Sequence, residues 1–141
     1  MSLLQTQALS HLVIQASDIT RSMEFYQRVF GYQVTMDLRD QPANRVIGVI
    51  GGLVMQILKA RDPAPDEPVQ ILAGPPGYAL AAFSVPDIEA ALEALRAEGL
   101  CGPEPAFVVG DVKFVFVRDP DGILVEVIEL PGGAKTLAER V

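Results

Sequence analysis

The chain has 141 residues, half of them hydrophobic, with a net charge of −7 and a single cysteine. That is about one domain's worth of chain, with enough apolar residues to bury a core. The acidic balance repels phosphate backbones and argues against nucleic acid as a partner, and one cysteine permits no intrachain disulfide. No apolar run approaches the roughly 20 residues needed to span a bilayer, nothing resembles a polybasic membrane patch, and the first ten residues lack the features of a signal peptide. The expectation is a cytoplasmic protein without a membrane partner. Its apolar content is high for a small monomer and is consistent with a buried subunit interface.

In chain order, His11–Ala16 reads as a strand. Asp18 is a good helix N-cap. Ile19, Met23, Tyr26 and Phe30 then fall on one helical face, and Gly31 stands where a left-handed C-terminal residue is expected. Strand-like runs follow at Tyr32–Arg39, Arg45–Ile50 and Leu53–Lys59, the last two joined by a Gly51-Gly52 hairpin turn. Arg61–Gly77 contains Pro63, Pro65, Pro68, Pro75 and Pro76, a density that opposes both helix and central strand. It is read as a linker with a short extended piece at Val69–Leu72. A second series then begins: a strand at Ala79–Val85, an N-cap at Asp87, and a helix with Ile88, Ala91, Leu92 and Leu95 on one face, ended by Gly99. Strands are expected at Ala106–Val109, Val112–Arg118 and Ile123–Leu130, with a hairpin turn at Gly110-Asp111 and a tight turn at Asp119-Pro120-Asp121-Gly122. The tail after Pro131 is expected to form a helical turn.

The two series share an offset. Asp18 and Asp87 are 69 residues apart and both cap helices; His11 and Leu80 are also 69 apart; Gln56 and Glu126, each in the last strand of its series, are 70 apart. An internal repeat of two βαβββ units accounts for this, because one such unit cannot cover both faces of its sheet. The organisation expected is a first module over residues 1–60, a Pro-rich linker over 61–77, a second module over 78–130 and a tail over 131–141. The fold class is α+β, with paired βαβββ modules forming a curved mixed sheet around a central cup and helices outside.

Two segments carry a family resemblance. The first runs His11-Leu12-Val13-Ile14-Gln15-Ala16-Ser17-Asp18 and continues through Ser22, Phe25 and Tyr26 to Phe30-Gly31. The second runs Ala82-Phe83-Ser84-Val85-Pro86-Asp87-Ile88-Glu89 and continues to Arg118-Asp119-Pro120-Asp121-Gly122 and Glu126. Together they resemble the vicinal oxygen chelate superfamily of glyoxalase, bleomycin-resistance and extradiol dioxygenase relatives, from His11 to Leu130. The resemblance implies a divalent metal held by residues from four strands, here His11, Gln56, Leu80 and Glu126. Leu80 departs from that pattern, since a histidine is common there.

On this reading His11, Gln56 and Glu126 are metal ligands, and Glu126 is also the catalytic residue. One nitrogen and two oxygens suit Mn²⁺, Fe²⁺, Co²⁺, Ni²⁺ or Zn²⁺, with positions open for water and a chelating substrate. Read without the resemblance, a hydrogen-bonded histidine is the favoured account of His11, while Glu126 is equally a carboxylate paired with a cation and Gln56 equally a solvent-facing strand residue. Leu80, Arg45, Lys113, Phe114 and Phe116 are the residues assigned to a substrate pocket. Cys101 is read as structural, and Asp119 and Asp121 as turn formers. The function implied is a metal-dependent lyase or isomerase acting on a small oxygen-chelating substrate through an enediolate. The alternative is a metal-free protein that binds or sequesters a small molecule; Leu80 favours it. An extradiol dioxygenase needs two histidines and a carboxylate, and the chain has one histidine.

Overall fold

The computed structural model describes residues 2–67, 70 and 73–140. The chain divides into two compact units, Met1–Ala64 and Pro65–Val141. Each holds one βαβββ module, and the two modules repeat the same topology.

In the first unit, strand β1 (His11–Ala16) leads into helix α1 (Ile19–Phe30), followed by β2 (Gln33–Asp37), β3 (Arg45–Ile50) and β4 (Leu53–Lys59). The sheet order is β1-β4-β3-β2, with β1 parallel to β4 and the other neighbours antiparallel. The cap reading is met: Asp18 is extended at φ −139°, its carboxylate accepts from the Arg21 N–H, and Gly31 is left-handed at φ 72°. The buried stripe of α1 differs from expectation. Ile19, Ser22, Phe25 and Tyr26 are buried, whereas Met23 and Phe30 are only half-buried. At 100° per residue, positions three and four apart bracket the same face, and here it leans toward the i+3 side. Ser22 is therefore a core residue, and its Oγ has no hydrogen-bond partner among the described residues.

The stretch expected as a strand over Tyr32–Arg39 is shorter at both ends. Tyr32 is drawn into the core, and the chain turns after Asp37, where Arg39 pairs with the Asp37 carboxylate at 2.6 Å. Between Val34 and Met36 the β2–β3 register shifts by one residue. The hairpin between β3 and β4 uses Gly51 at φ 53° and Gly52 at φ 78°, the type I′ geometry that suits the strand twist.

In the second unit, β5 (Ala81–Ser84), α2 (Ile88–Ala97), β6 (Phe107–Val109), β7 (Val112–Arg118) and β8 (Leu124–Glu129) form a sheet ordered β5-β8-β7-β6. Asp87 caps α2 by accepting from the Glu89 and Ala90 N–H groups. The Asp119–Gly122 turn is as expected. Asp119 is buried, its Oδ1 accepts from the Asp121 and Ile123 N–H groups at 2.9 Å each, and Gly122 is left-handed. Cys101 is half-buried with its Sγ 3.8 Å from the Phe116 carbonyl, and burial raises its thiol pKa, which suits a structural residue. The tail forms short 3₁₀ turns at Pro131–Gly133 and Leu137–Arg140. The extended piece expected at Val69–Leu72 lies, apart from Gln70, outside the described residues.

Each sheet packs one face on its own helix. In the first unit that face carries Ala16, Val46, Gly48, Ile50, Met55 and Ile57, all buried. In the second it carries Val115, Val117, Val125 and Val127, and Glu129 on the same face accepts from the Ile88 N–H at the start of α2. The strand period of two then puts the alternate residues on the face away from the helix. Every expected site residue except Lys113 falls on that open face or, for Leu80, just beside it.

Candidate functional site

On the open face of the first sheet, His11 is the exposed first residue of β1. Its Nδ1 is 3.0 Å from the Ser10 Oγ. In the tautomer where Nδ1–H donates to that hydroxyl, the Nε2 lone pair is free to coordinate. Val13, two residues on, lies directly beside Gln56 of β4. Gln56 has Ile47 of β3 on its other side and is half-buried. Its Oε1 accepts from Arg45 Nη1 at 3.0 Å. Arg45 opens β3, faces Leu58 across the strands, and is half-buried. Thus His11, Gln56 and Arg45 share one face, among Val13, Ile47 and Leu58.

The second sheet repeats the plan. Ala82 of β5 lies directly beside Glu126 of β8, as Val13 lies beside Gln56. Leu80 precedes Ala82 by two residues, as His11 precedes Val13. The 69- and 70-residue offsets therefore correspond to equivalent places in two equivalent sheets, with Leu80 at the histidine position. On its other side Glu126 faces Phe116 of β7. The carboxylate is half-buried, has no hydrogen-bond or ion-pair partner among the described residues, and has its pKa raised by desolvation.

Phe114 and Phe116 lie on this face as expected. With Phe107 of β6 they form a three-ring cluster whose centroids are 5.4–5.8 Å apart. Lys113 does not belong here. It pairs with Glu129 across the strands, so alternation puts it on the helix side of the sheet, opposite Phe114 and Phe116. A positive charge within a strand was read as site-facing, but its parity within β7 sends it the other way. The same parity test could have found Arg118, which shares the face of Phe116 and donates from Nη1 to the Gly122 carbonyl. Arg118 also lines a cavity of about 370 Å³ with Gly99, Leu100, Phe116, Val117 and Leu124.

By residue type the donors suit a divalent cation. In the first unit His11 offers an imidazole nitrogen and Gln56 an amide oxygen; in the second Glu126 offers a desolvated carboxylate without a counter-charge among the described residues. Leu80 offers nothing. No group of three or more His, Cys, Asp or Glu side chains is placed to hold an ion among the described residues. No described helix is long and apolar enough to cross a membrane.

A profile of the glyoxalase/bleomycin resistance protein/dioxygenase superfamily matches residues 8–127. No curated protein matches the sequence. Among solved structures, the monoclinic form of the genomically encoded fosfomycin resistance protein FosX from Listeria monocytogenes is similar at 22% identity. The match covers 96% of this chain and 97% of that one, with a TM-score of 0.70. A glyoxylase/bleomycin resistance protein/dioxygenase domain from Frankia sp. EAN1pec is similar at 21% identity, covering 92% and 96%, with a TM-score of 0.72. A mutant of the Listeria FosX, complexed with Mn(II) and 1S,2S-dihydroxypropylphosphonic acid, is similar at 22% identity, covering 97% and 98%, with a TM-score of 0.71. At these identities the solved structures establish the shared fold.

Proposed function

Because the chain belongs to the glyoxalase/bleomycin resistance protein/dioxygenase superfamily, we propose that it is a divalent-metal-dependent lyase or isomerase of a small, oxygen-chelating substrate. The observation that carries this is Glu126: a desolvated carboxylate with no partner among the described residues, on an open sheet face, at the strand position equivalent to Gln56. An unpaired, partly buried carboxylate is costly unless a cation or a proton-transfer role accounts for it. In this reading His11, Gln56 and Glu126 would hold the ion, which would supply charge stabilisation for the developing oxyanion. Glu126 moves the proton on the carbon beside the chelating oxygens. The apolar residues beside it, Phe114, Phe116 and Leu80, exclude water and seat the substrate's apolar part. The Mn(II) complex of the Listeria FosX mutant supports a metal in a protein of this fold.

Calorimetric titration of protein purified without a His-tag should show binding of at least one of Mn²⁺, Co²⁺, Ni²⁺ and Zn²⁺. Leu80→His should tighten it by about 10–100-fold, the range that a metal site loses when supporting groups are removed. No binding to the wild type and none restored by Leu80→His would leave the metal-free small-molecule binder as the reading. Two observations favour that second reading: Leu80 replaces a ligand, and the Gln56 oxygen already accepts from Arg45.

The proposal includes a homodimer. Edge strand β6 leaves Phe107, Val108 and Val109 more than half exposed, and edge strand β2 exposes Met36 similarly. Apolar edge strands are ordinarily covered or paired. Light scattering at micromolar concentration should give twice the chain mass; a stable 15.2 kDa species would remove the dimer.

A further inference from the structure

We infer that Arg45 is an anchor for an oxyanion, and that the small molecule taken by the first sheet's open face carries a carboxylate or phosphate-like group. The inference rests on the proposal that this face binds a small molecule at all.

Arg45 makes two hydrogen bonds within its unit. Its Nη1 donates to Gln56 Oε1 at 3.0 Å, and its Nε to the Ala43 carbonyl at 3.4 Å. Both acceptors are neutral. No carboxylate among the described residues of its own unit lies within ion-pairing distance, although the side chain is half-buried. Arg39, in the same unit, shows the ordinary outcome: its guanidinium grips Asp37 through Nε and Nη2 and donates from Nη1 to Thr20. Arg45 neither pairs nor extends freely into water. Of its five N–H donors, those not given to Gln56 and Ala43 have no protein acceptor among the described residues.

Such a cation is costly where it stands unless an anion joins it. The planar fork of a guanidinium matches the two oxygens of a carboxylate or phosphate, and the hydrogen bonds formed are charge-assisted. Val13, Ile47 and Leu58 on the same face lower the local dielectric, which strengthens the pairing, and offer a strip for an apolar tail. The chain as a whole carries −7 and would otherwise repel an anion, so a held local cation is what such a ligand needs. Gln56 then acts as a positioning residue: its amide oxygen holds the guanidinium, and the same oxygen is the one expected to face a metal ion. A guanidinium on that oxygen opposes a dication until an anion offsets both charges. Anion and metal should therefore bind cooperatively, each strengthening the other by the same factor.

The full chain, free of metal, would be titrated with hexanoate, inorganic phosphate and the neutral hexanamide, followed by calorimetry and by amide NMR shifts on β1, β3 and β4. At least one anion should bind at least tenfold more tightly than hexanamide. A preference for hexanoate identifies a carboxylate ligand, and a preference for phosphate a phosphate-type one. Arg45→Ala should lose at least tenfold of that affinity, Gln56→Ala severalfold, and Arg39→Ala none. If Arg45→Ala does not fold, Arg45→Lys keeps the charge without the fork and should still bind the anion severalfold more weakly. Binding of both hexanoate and phosphate no tighter than that of hexanamide, no anion binding, or indifference to Arg45 overturns the inference. The metal titration separates the two proposals. Arg45-dependent anion binding in a chain that takes no metal sustains this inference and removes the metal-dependent reading. A metal-binding chain whose anion affinity ignores Arg45 does the reverse.

Discussion

Gly48→Ala is expected to lower the stability of the chain by about 2–4 kcal/mol, the sum of a typical overpacking cost and the loss of one buried hydrogen bond. Gly48 sits in β3 between Val34 and Met55, on the helix-facing side. A Cβ there would stand 2.6 Å from two ring atoms of Tyr32 and closer still to the Gln33 carbonyl oxygen. The ring lies over the glycine because its hydroxyl reaches on to the Met55 carbonyl at 2.8 Å. A methyl group must displace the ring, and with it that bond. Against a total of about 5–15 kcal/mol for an ordinary domain, this is a large fraction. Chemical denaturation measures it. A double-mutant cycle with Tyr32→Leu should show positive coupling, since the smaller side chain leaves room for the methyl. Additive losses would mean that the approach of the Gln33 carbonyl, not that of the ring, is what makes glycine necessary. Tyr32 adds a pH signature. Burial pushes its pKa up to about 12 from 10.0. Its neutral form is favoured in the folded chain, so this contribution is complete below pH 10 and is lost as pH rises toward 12. Tyr32→Phe should remove that alkaline slope.

The fold was legible because its signals are local. Asp18 and Asp87 announce helix starts through their own side chains, and the Gly51-Gly52 pair and Asp119–Gly122 write turns that need no distant partner. The limits of β1, β3, β4 and β7 agree with their hydrophobic runs for the same reason. Tyr32 was assigned to β2 because its type suits a strand. Its true place, buried across Gly48, depends on a contact 16 residues away. Ser22 was missed in the helix stripe because a polar residue interrupts an apolar pattern even when its position is buried.

The site was legible in position more than in partnership. Strand alternation places His11, Gln56 and Glu126 on open faces, and the repeat puts Leu80 at the histidine position; both follow from counting residues. Lys113 shows the hazard of choosing by charge without counting, since its neighbours Phe114 and Phe116 already define the other face. The Arg45–Gln56 hydrogen bond joins residues eleven apart on adjacent antiparallel strands, one diagonal step from direct opposition. Which of several polar groups such an arginine chooses depends on side-chain reach, and no sequence pattern states it. That bond decides whether Gln56 serves as a metal ligand or as a support for a cation.

Glu126→Gln is expected to lower any proton-transfer activity by about 10²–10⁴-fold, the usual contribution of a positioned acid–base group. The assay is solvent-deuterium exchange of the α-hydrogen in a panel of small hydroxy- and oxo-acids, followed by NMR. In the wild type kcat/KM should show an acid limb from protonation of the Glu126 carboxylate. That limb should vanish in the variant. The same substitution should make the folded chain more stable at pH 7, because glutamine carries no desolvated charge. The sign follows from linkage. Burial raises the folded pKa above the unfolded one, so the favourable contribution of the protonated group is complete below the unfolded pKa. It is lost as pH rises through the folded pKa. At neutral pH the wild type thus holds a desolvated charge that glutamine does not carry, and the difference should close as pH falls below the ordinary carboxylate range. A variant less stable than wild type at pH 7 would mean that the carboxylate is held by a structural partner, and the case for Glu126 as the base would lose its foundation.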